Sequence, residues 1–376
     1  MDLLLIVKLF FSLFSFNPRN MRWFNFRRII VSFFLLPVFI ILLLTNRLFL
    51  LLDYVFFARF VRIKIAQPIF IISAPRSATT YLFHKLSSLK NKTTTFKLWE
   101  LVFAPSIIQK YLVLMLAGVD AFLGKPLQRL IAFFEQFLLG NFRKIHPIGL
   151  NLPEEDEAIL LWNFTSIYFN FFFPDTHYFD DYFLFDDRLK PSLRNKIMRY
   201  YFRCVQRHCF VFNPDNKKHF LSKNPAMMSK IRSLHDFFPD ALIFNINRCS
   251  SMTIPSTIAL NNNIYGFFTS RKTSGELNER TKKILINWYK FAHENLNSYY
   301  STNLIVVDFD KLTAHDEETL NNICNKLNIN KSVFIENQQS KDTEIGNKSR
   351  NKYSSLEPDE LKEILFELPF LTQHCK

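Results

Sequence analysis

The chain begins with an apolar region that differs from everything after it. Residues 1–16 are apolar apart from two charged positions, residues 17–28 are polar and basic, and residues 29–57 form a second apolar run. A helix needs about 20 apolar residues to cross a bilayer, and the second run exceeds that length, although Asn46, Arg47 and Asp53 interrupt it. Three interpretations stay open for this run: a transmembrane helix, a helix or hairpin in the membrane interface, or a helix buried in a soluble core.

From residue 68 the pattern changes to short apolar runs that alternate with helical periodicity. Such alternation predicts an α/β fold, with a parallel sheet and helices on both of its faces. The predicted strands are 68–73, 219–222, 241–247 and 303–308, and the predicted helices are 79–89, 227–238, 254–260, 276–299 and 317–327. Apolar helical stretches in residues 101–140 are either core helices or a lid that dips into the membrane. We expect a membrane-associated segment over residues 1–60 and one domain over 61–376.

Composition narrows the possible partners. The net charge of +14 suits nucleic acid, anionic lipid or a polyanionic small ligand. Nucleic acid is not expected, because the Lys and Arg residues are scattered and no nucleic-acid motif is present. The cysteine count of five is odd and contains no C-x-x-C pair, which predicts free thiols rather than a zinc site or a disulfide framework.

The turn after the first predicted strand is a candidate anion site. The first N–H groups of a helix lack partners inside the helix, and the helix dipole adds positive potential there. Arg76, Ser77, Thr79 and Thr80 add donors around those N–H groups. The segment SAPRSATT lacks both glycines and the lysine of a Walker A loop, so an ordinary ATPase is disfavoured.

Two segments together resemble the nucleotide motifs of sulfotransferases that use 3′-phosphoadenylyl sulfate (PAPS). Residues 68–86, PIFIISAPRSATTYLFHKL, resemble the loop that binds the 5′-phosphosulfate, usually P-[RK]-S-G-T-T after an apolar strand. Residues 238–248 resemble the strand before the 3′-phosphate motif, in which an Arg is followed eight residues later by a Ser, as Arg248 and Ser256 are here. Residues 222–225 resemble the K-x-P strand end of the family, and residues 146–157 resemble a segment of its bacterial-type, carbohydrate-like branch.

The resemblance covers about residues 65–370 and implies a P-loop-like sulfotransferase domain. It implies that Arg76 contacts the sulfuryl and bridging oxygens, and that Arg248 and Ser256 bind the 3′-phosphate. A basic loop with Arg350, Lys352 and Tyr353 is expected to close over that phosphate. No metal is expected, and the residues implied around the 5′-phosphate are Ser77, Ala78, Thr79, Thr80 and Tyr81.

The sequence departs from the family pattern at two places. Ala78 stands where the family usually has Gly, which matters if the backbone there has a positive φ. Cys249 and Ser250 replace the common Asp-Pro after the Arg. These departures keep a second class of function open, a membrane-anchored nucleotide-binding or scaffold protein without activity. A kinase would need a Mg²⁺ site, and the sequence shows no motif for one.

The acceptor hydroxyl also needs a general base. Glu100 is the first candidate, because it follows the loop helix at a distance that resembles the catalytic Glu of several sulfotransferase branches. His146 is the second, since His is suited to proton transfer near neutral pH. The acidic cluster at 154–157 is expected to be a solvated helix start, with Glu155 the member that faces the crevice. Lys223 ends a predicted strand and is a further candidate contact. The apolar segments suggest a lipid or lipid-linked glycan acceptor at a membrane.

Overall fold

A parallel sheet of five strands forms the centre of the computed structural model, which describes residues 26–139, 148–174, 176–268, 275–329 and 358–375. The strand order is β2-β3-β1-β4-β5, and every pair is parallel. The strands are β1 Ile69–Ile71, β2 Thr93–Thr94, β3 His219–Lys223, β4 Leu242–Asn247 and β5 Leu304–Asp308.

Helices account for most of the remaining described residues. In chain order they are α1 Phe26–Phe56, α2 Thr79–Ser87, α3 Leu98–Val102, α4 Ile107–Phe122, α5 Pro126–Leu139, α6 Phe169–Phe172, α7 Asp180–Phe183, α8 Phe185–Arg188, α9 Pro191–Phe212, α10 Ile231–Phe237, α11 Ser250–Phe268, α12 Gly275–Tyr300, α13 Phe309–Thr313, α14 Glu317–Lys326 and α15 Pro358–Glu367. Short 3₁₀ segments lie at Ala58–Arg62, Asp156–Asn163, Pro225–Ser229 and Pro369–His374.

Strand β1 separates two hydrophobic cores. Successive side chains of a strand point to opposite faces of the sheet. Phe70 therefore packs in the core with α9, α10 and α12, whereas Ile69 and Ile71 pack in the core with α2 and α14. The predicted α/β fold with helices on both faces is confirmed. The four predicted strands are all present, and the short edge strand β2 is an addition.

Two helix predictions differ from the structure. Helix α11 begins at Ser250, four residues before the predicted start, and continues to Phe268. The predicted helix over 227–238 is divided into a 3₁₀ segment and α10, because Lys230 between them leaves the helical conformation. Helix α9, the 22-residue helix on one face of the sheet, was not predicted.

The polar residues that interrupt the N-terminal apolar run all contact the domain. Asn46 donates from Nδ2 to the Val102 carbonyl at 3.1 Å and accepts from Gln109 Nε2 at 2.7 Å. Arg47 Nη2 donates to the Trp162 carbonyl at 2.9 Å. These residues fix the C-terminal half of α1 against the domain. Leu43 and Leu50 are buried there, while apolar side chains on the outer side of α1, such as Leu44 and Leu51, remain exposed.

Asp53 makes the strongest of these contacts. Its Oδ2 pairs with Arg207 Nε at 2.8 Å, and both side chains are at most 2% exposed. The same carboxylate accepts the N–H groups of Ile107 and Ile108 at 2.9 and 3.2 Å, and thereby caps the start of α4. One carboxylate therefore joins three helices, α1, α4 and α9.

Helices α4 and α5 expose their apolar side chains. They meet at a bend of 110°, and the bent pair is long and apolar enough to count as a broken membrane span or a re-entrant loop. The segment Phe33–Phe56 of α1 also passes this test of length and composition. The sequence of residues 101–140 allows either core helices or a lid. The outer faces of α4 and α5 are not part of a core, because no other described element covers them.

The prediction of five free cysteines is wrong for two of them. Cys249 and Cys375 form a disulfide with Cα atoms 4.7 Å apart, although 126 positions separate them in sequence. The C-terminal 3₁₀ segment packs near the start of α11, which brings Cys375 to Cys249. The spacing of the cysteines in the sequence does not predict this contact. Cys204, Cys209 and Cys324 are free, as predicted, and all three are buried.

We expect Asp53→Ala to lower the free energy of unfolding by about 3–5 kcal/mol, because it leaves Arg207 buried without its partner. Thermal or denaturant unfolding in detergent measures this change. Asp215→Ala is the matched control, since Asp215 pairs with Lys217 on the exposed surface, and we expect no measurable change there. Equal effects of the two substitutions would contradict the docking role of Asp53.

Candidate active site

The turn between β1 and α2 has an unusual backbone. Arg76 and Ala78 have φ values of +68° and +59°, in the left-handed region. Ser73 Oγ accepts the Ile246 N–H at 2.6 Å, which fixes the turn beside β4. Thr79 then begins α2, so the first N–H groups of the helix, which have no partner inside the helix, belong to this turn.

A second turn, after β4, meets the first. Arg76 Nε donates to Ser256 Oγ at 3.0 Å, and Arg248 Nη1 donates to the Arg76 carbonyl. The guanidinium of Arg248 also lies over the Phe309 ring, 4.0 Å from its centre. The two arginines and the serine predicted from sequence therefore meet at one edge of the sheet, at the carboxyl ends of neighbouring strands.

Two hydroxyl groups at these turns fit an anionic ligand. Ser77 and Ser250 are completely buried; the Ser250 Oγ makes no hydrogen bond within the described residues, whereas the Ser77 hydroxyl lies beside Tyr289. A buried donor without a partner is costly unless a ligand or water satisfies it. Oxygens of phosphate or sulfate groups would provide such partners. The residues present therefore fit a nucleotide that carries anionic groups at two positions. Thr79 is buried, Thr80 is half-buried, and Tyr81 Oη lies 3.1 Å from His315 Nδ1.

The C-terminal 3₁₀ segment reaches the same edge. The disulfide joins Cys375 to Cys249, the residue after Arg248. His374 Nδ1 lies 3.0 Å from Asp308 Oδ2 at the end of β5. Sequence reasoning did not find this contact. The only available signal was the position of one cysteine beside the predicted 3′-phosphate arginine.

A carboxylate and a lysine lie at the end of β3, the strand on the other side of β1. Lys223 is opposite Ile71 in the strand register and pairs through Nζ with Glu155. Tyr168 Oη donates to the other oxygen of Glu155 at 2.6 Å. Burial and the nearby Glu155 charge raise the pKa of Tyr168 well above its usual value, so Tyr168 remains a donor. The Glu155 side chain is 22% exposed, which leaves it accessible.

The sequence matches the profile of the Sulfotransferase family over residues 68–332. The chain belongs to this family. Two solved structures share its fold: the sulfotransferase STF1 from Mycobacterium tuberculosis and the sulfotransferase STF9 from Mycobacterium avium. STF1 is 17% identical with a TM-score of 0.59 over 86% of this chain and 82% of its own. STF9 is 15% identical with a TM-score of 0.61 over 88% of this chain and 83% of its own. The comparison with curated proteins finds no match.

The neighbours of Glu155 in this sulfotransferase are not solvated. Asp156 and Glu157 are 2% and 0% exposed, so the expectation of a solvated helix start is wrong for both. Glu157 accepts from Lys230 Nζ at 2.6 Å and from Asn224 Nδ2 at 3.1 Å. Asp156 accepts from Tyr201 Oη at 2.5 Å, and burial raises the pKa of Asp156 to about 6. These two acids hold the interior together, whereas Glu155 faces the sheet edge.

Glu100, the first candidate base, lies under the edge strand β2 and is 1% exposed. Its carboxylate contacts His208 Nδ1 at 2.7 Å, accepts the Lys97 N–H at 3.1 Å and lies 3.7 Å from Lys110 Nζ. Burial opposes ionisation of Glu100, but the charges and hydrogen bonds of its neighbours outweigh burial and lower its pKa. Its role as a base stays a prediction.

Some predicted residues lie outside the described residues, namely His146, Arg350, Lys352 and Tyr353. The roles predicted for them stay predictions. Across the described ranges, no group of three or more His, Cys, Asp or Glu side chains lies close enough to hold a metal ion. The expectation of a reaction without a metal also stays a prediction.

We expect Ala78→Gly to raise the free energy of unfolding by about 0.5–1 kcal/mol. A left-handed conformation costs an L-residue roughly 1–2 kcal/mol, and the extra backbone entropy of Gly cancels part of that gain. Ala259→Gly, in the middle of α11, is the control and should lower stability by about 0.5–1 kcal/mol. Unfolding midpoints of the two variants measure the difference. A loss of stability in Ala78→Gly would mean that the turn is not strained.

Proposed function

We propose that this sulfotransferase transfers a sulfuryl group from PAPS to a hydroxyl acceptor at the carboxyl edge of its sheet. The observation that carries the proposal is the contact between the two turns, from Arg76 Nε to Ser256 Oγ at 3.0 Å and from Arg248 to the Arg76 carbonyl. A donor with a 3′-phosphate and a 5′-phosphosulfate needs two anion sites a short distance apart. In open α/β sheets, ligands bind at the carboxyl ends of the strands.

Each turn provides donors for one end of the nucleotide. The N–H groups at the start of α2, together with the Ser77, Thr79 and Thr80 hydroxyls, suit the 5′-phosphate. Arg76 suits the sulfuryl and bridging oxygens, where negative charge increases as the sulfur–oxygen bond breaks. Arg248 and Ser256 suit the 3′-phosphate. The backbone of Ala78 and the first-turn residue Tyr81 complete the loop around the 5′-phosphate.

We assign the general base to Glu155 in preference to Glu100. Glu155 is partly exposed and pairs with Lys223, whose strand ends beside the turn that carries Arg76. As the acceptor oxygen attacks sulfur, Glu155 takes the hydroxyl proton, and the bridging oxygen leaves with adenosine 3′,5′-bisphosphate. The Lys223 ammonium forms an ion pair with the Glu155 carboxylate. Both carboxylates have hydrogen-bond partners, but Glu100 is 1% exposed whereas the Glu155 side chain is 22% exposed.

The membrane is the proposed location of the reaction. Segment Phe33–Phe56 is long and apolar enough to enter a bilayer, and the whole segment over residues 1–60 is assigned to membrane association, with the sulfotransferase domain over 61–376. A hydroxyl on a lipid or lipid-linked glycan is the acceptor class that fits this location. The basic net charge of +14 suits anionic headgroups as well as the donor.

A nucleotide-binding protein without turnover is the second candidate function. The positive φ of Ala78 favours it, because the family usually has Gly at this turn. This candidate function shares the donor site with the first, so a measurement of nucleotide binding does not distinguish the two. A measurement of sulfuryl transfer does.

Calorimetry in detergent tests the donor site. Adenosine 3′,5′-bisphosphate should bind more tightly than AMP, and Arg248→Ala should weaken it about 10- to 100-fold, because a hydrogen bond to a charged group contributes about 1.5–3 kcal/mol. Arg199→Ala, which removes an exposed charge from α9, should leave affinity unchanged. Equal binding of AMP and bisphosphate, or equal effects of the two substitutions, would refute the donor assignment.

Transfer of radiolabelled sulfate from PAPS to vesicles of phosphatidylcholine and a neutral hexosyl glycolipid tests the base. Glu155→Gln should lower kcat about 100- to 10,000-fold with little change in nucleotide affinity, as expected for loss of a general base. Glu100→Gln should keep most of the turnover but lower the unfolding midpoint, because it leaves His208 and Lys110 without a charged partner. The reverse result would assign the base to Glu100. Nucleotide binding without turnover in the unmodified protein would favour the second candidate function.

A further inference from the structure

Helices α4 and α5 form an exposed apolar surface next to α1. A large apolar patch on a soluble protein marks a contact with another molecule or a membrane. Phe122 and Phe137 are 90% and 79% exposed, so water would contact almost the whole of both rings. The other large apolar side chains exposed on the two helices are Tyr111, Leu112, Leu114, Met115, Leu116, Val119, Leu127, Leu130, Phe133 and Phe134.

This surface continues onto α1. Gln109 of α4 donates to Asn46 Oδ1 of α1 at 2.7 Å, and Asp53 of α1 accepts the first N–H groups of α4. The outer side of α1 carries further exposed apolar residues, among them Leu44 at 63% and Leu51 at 66%. The three helices therefore present one continuous apolar face.

The stretch of α1 that precedes its stacking contact at Phe39 is too short to cross a bilayer by itself. Phe39 of α1 stacks on Trp162 of the domain, with 5.4 Å between ring centres. Contact with the domain continues through Arg47 and Asp53 towards the end of the helix. Residues 26–38 of α1 precede these contacts, and at 1.5 Å per residue they extend about 20 Å. The hydrocarbon core of a bilayer is about 30 Å thick, so α1 reaches across it only if the docked domain enters the membrane too.

The charges of α4 and α5 are arranged for an anionic lipid surface. Both acids have internal partners: Asp120 accepts the Leu127 N–H at 2.7 Å, and Glu135 accepts the Leu150 N–H at 2.6 Å. Lys110 is fully buried. The exposed charges of this segment are Lys125, in the bend between the two helices, and Arg129 in the first turn of α5. Long basic side chains extend to the headgroups while their stems stay in the apolar layer.

Helix α5 is also connected to the proposed base. Glu135 of α5 accepts the N–H of Leu150, the first residue of a short segment. This segment contacts the start of α3, where the Leu98 N–H donates to the Leu152 carbonyl at 3.1 Å. Three residues after Leu152 the chain reaches Glu155. A membrane contact of α5 therefore lies one short, hydrogen-bonded segment away from the acceptor side of the site.

We propose that α1, α4 and α5 form a single membrane-inserted face that enters one leaflet of a bilayer with anionic headgroups. This face holds the Glu155 side of the site at the lipid surface and makes the domain monotopic instead of suspended from a free transmembrane helix. The proposal goes beyond membrane association of residues 1–60, and its test does not involve PAPS.

Labelling with an environment-sensitive fluorophore tests this face on the full chain. Phe137→Cys and Phe366→Cys provide a matched pair of exposed phenylalanines, at 79% and 85%, on α5 and α15. The endogenous cysteines are buried or in the disulfide, and the labelled unmodified protein gives the background. In phosphatidylcholine vesicles with phosphatidylglycerol, spin-labelled lipid should quench the position 137 label several-fold more than the position 366 label. Aqueous iodide should show the opposite preference.

The charge contribution is tested with Lys125→Glu combined with Arg129→Glu. This double variant should lose much of the lipid quenching at position 137 in anionic vesicles and little in vesicles of phosphatidylcholine alone. An unchanged unfolding midpoint in detergent shows that each variant is folded. Quenching at position 137 by iodide but not by lipid, in folded protein, would overturn the proposal whatever the outcome of the nucleotide experiments.

Discussion

The parallel pairing of β1 with β3 on one side and β4 on the other is the constraint on which the site depends. Ile71 lies opposite Lys223 in β3 and opposite Phe244 in β4, so β1 and β3 end together and β4 continues beside the turn to Asn247. The turns that follow must then share one edge, and this brings Arg76 to Arg248. The two buried cores on either side of β1 keep this register, because a shift by one residue would exchange the side chains between the faces.

Buried carboxylates with dedicated partners surround this edge. Glu157 pairs with Lys230, and Glu100 pairs with His208 and Lys110, all of them almost completely buried. A buried charge without a partner is strongly destabilising, so these acids are committed to the interior. Glu155 differs because its ion pair with a buried lysine remains partly open to solvent. The proposed assignment of the general base to Glu155 therefore rests on its exposure to solvent, which its position in the sequence did not indicate.

The requirement that buried polar groups have partners also explains how the apolar helix α1 can carry Asn46, Arg47 and Asp53. Each of these residues is bonded to the domain, so none is presented to an apolar environment. The polar groups fix α1 in place, and the apolar outer side remains available with α4 and α5. Because the polar residues of α1 face the domain, the helix is docked by its polar contacts and its apolar outer side is left exposed.

The sequence alone determined four of the five strands, the turn after β1 and the spacing of Arg248 and Ser256, because these features depend on local periodicity and short motifs. It did not determine which acid is accessible, since Glu100 and Glu155 differ in burial that is produced by distant parts of the chain. It also left open the conformation of Ala78, the pairing of Cys249 with a residue 126 positions away, and the exposure of α4 and α5. Only the tertiary structure decided these features, because each depends on contacts between segments that are far apart in the chain.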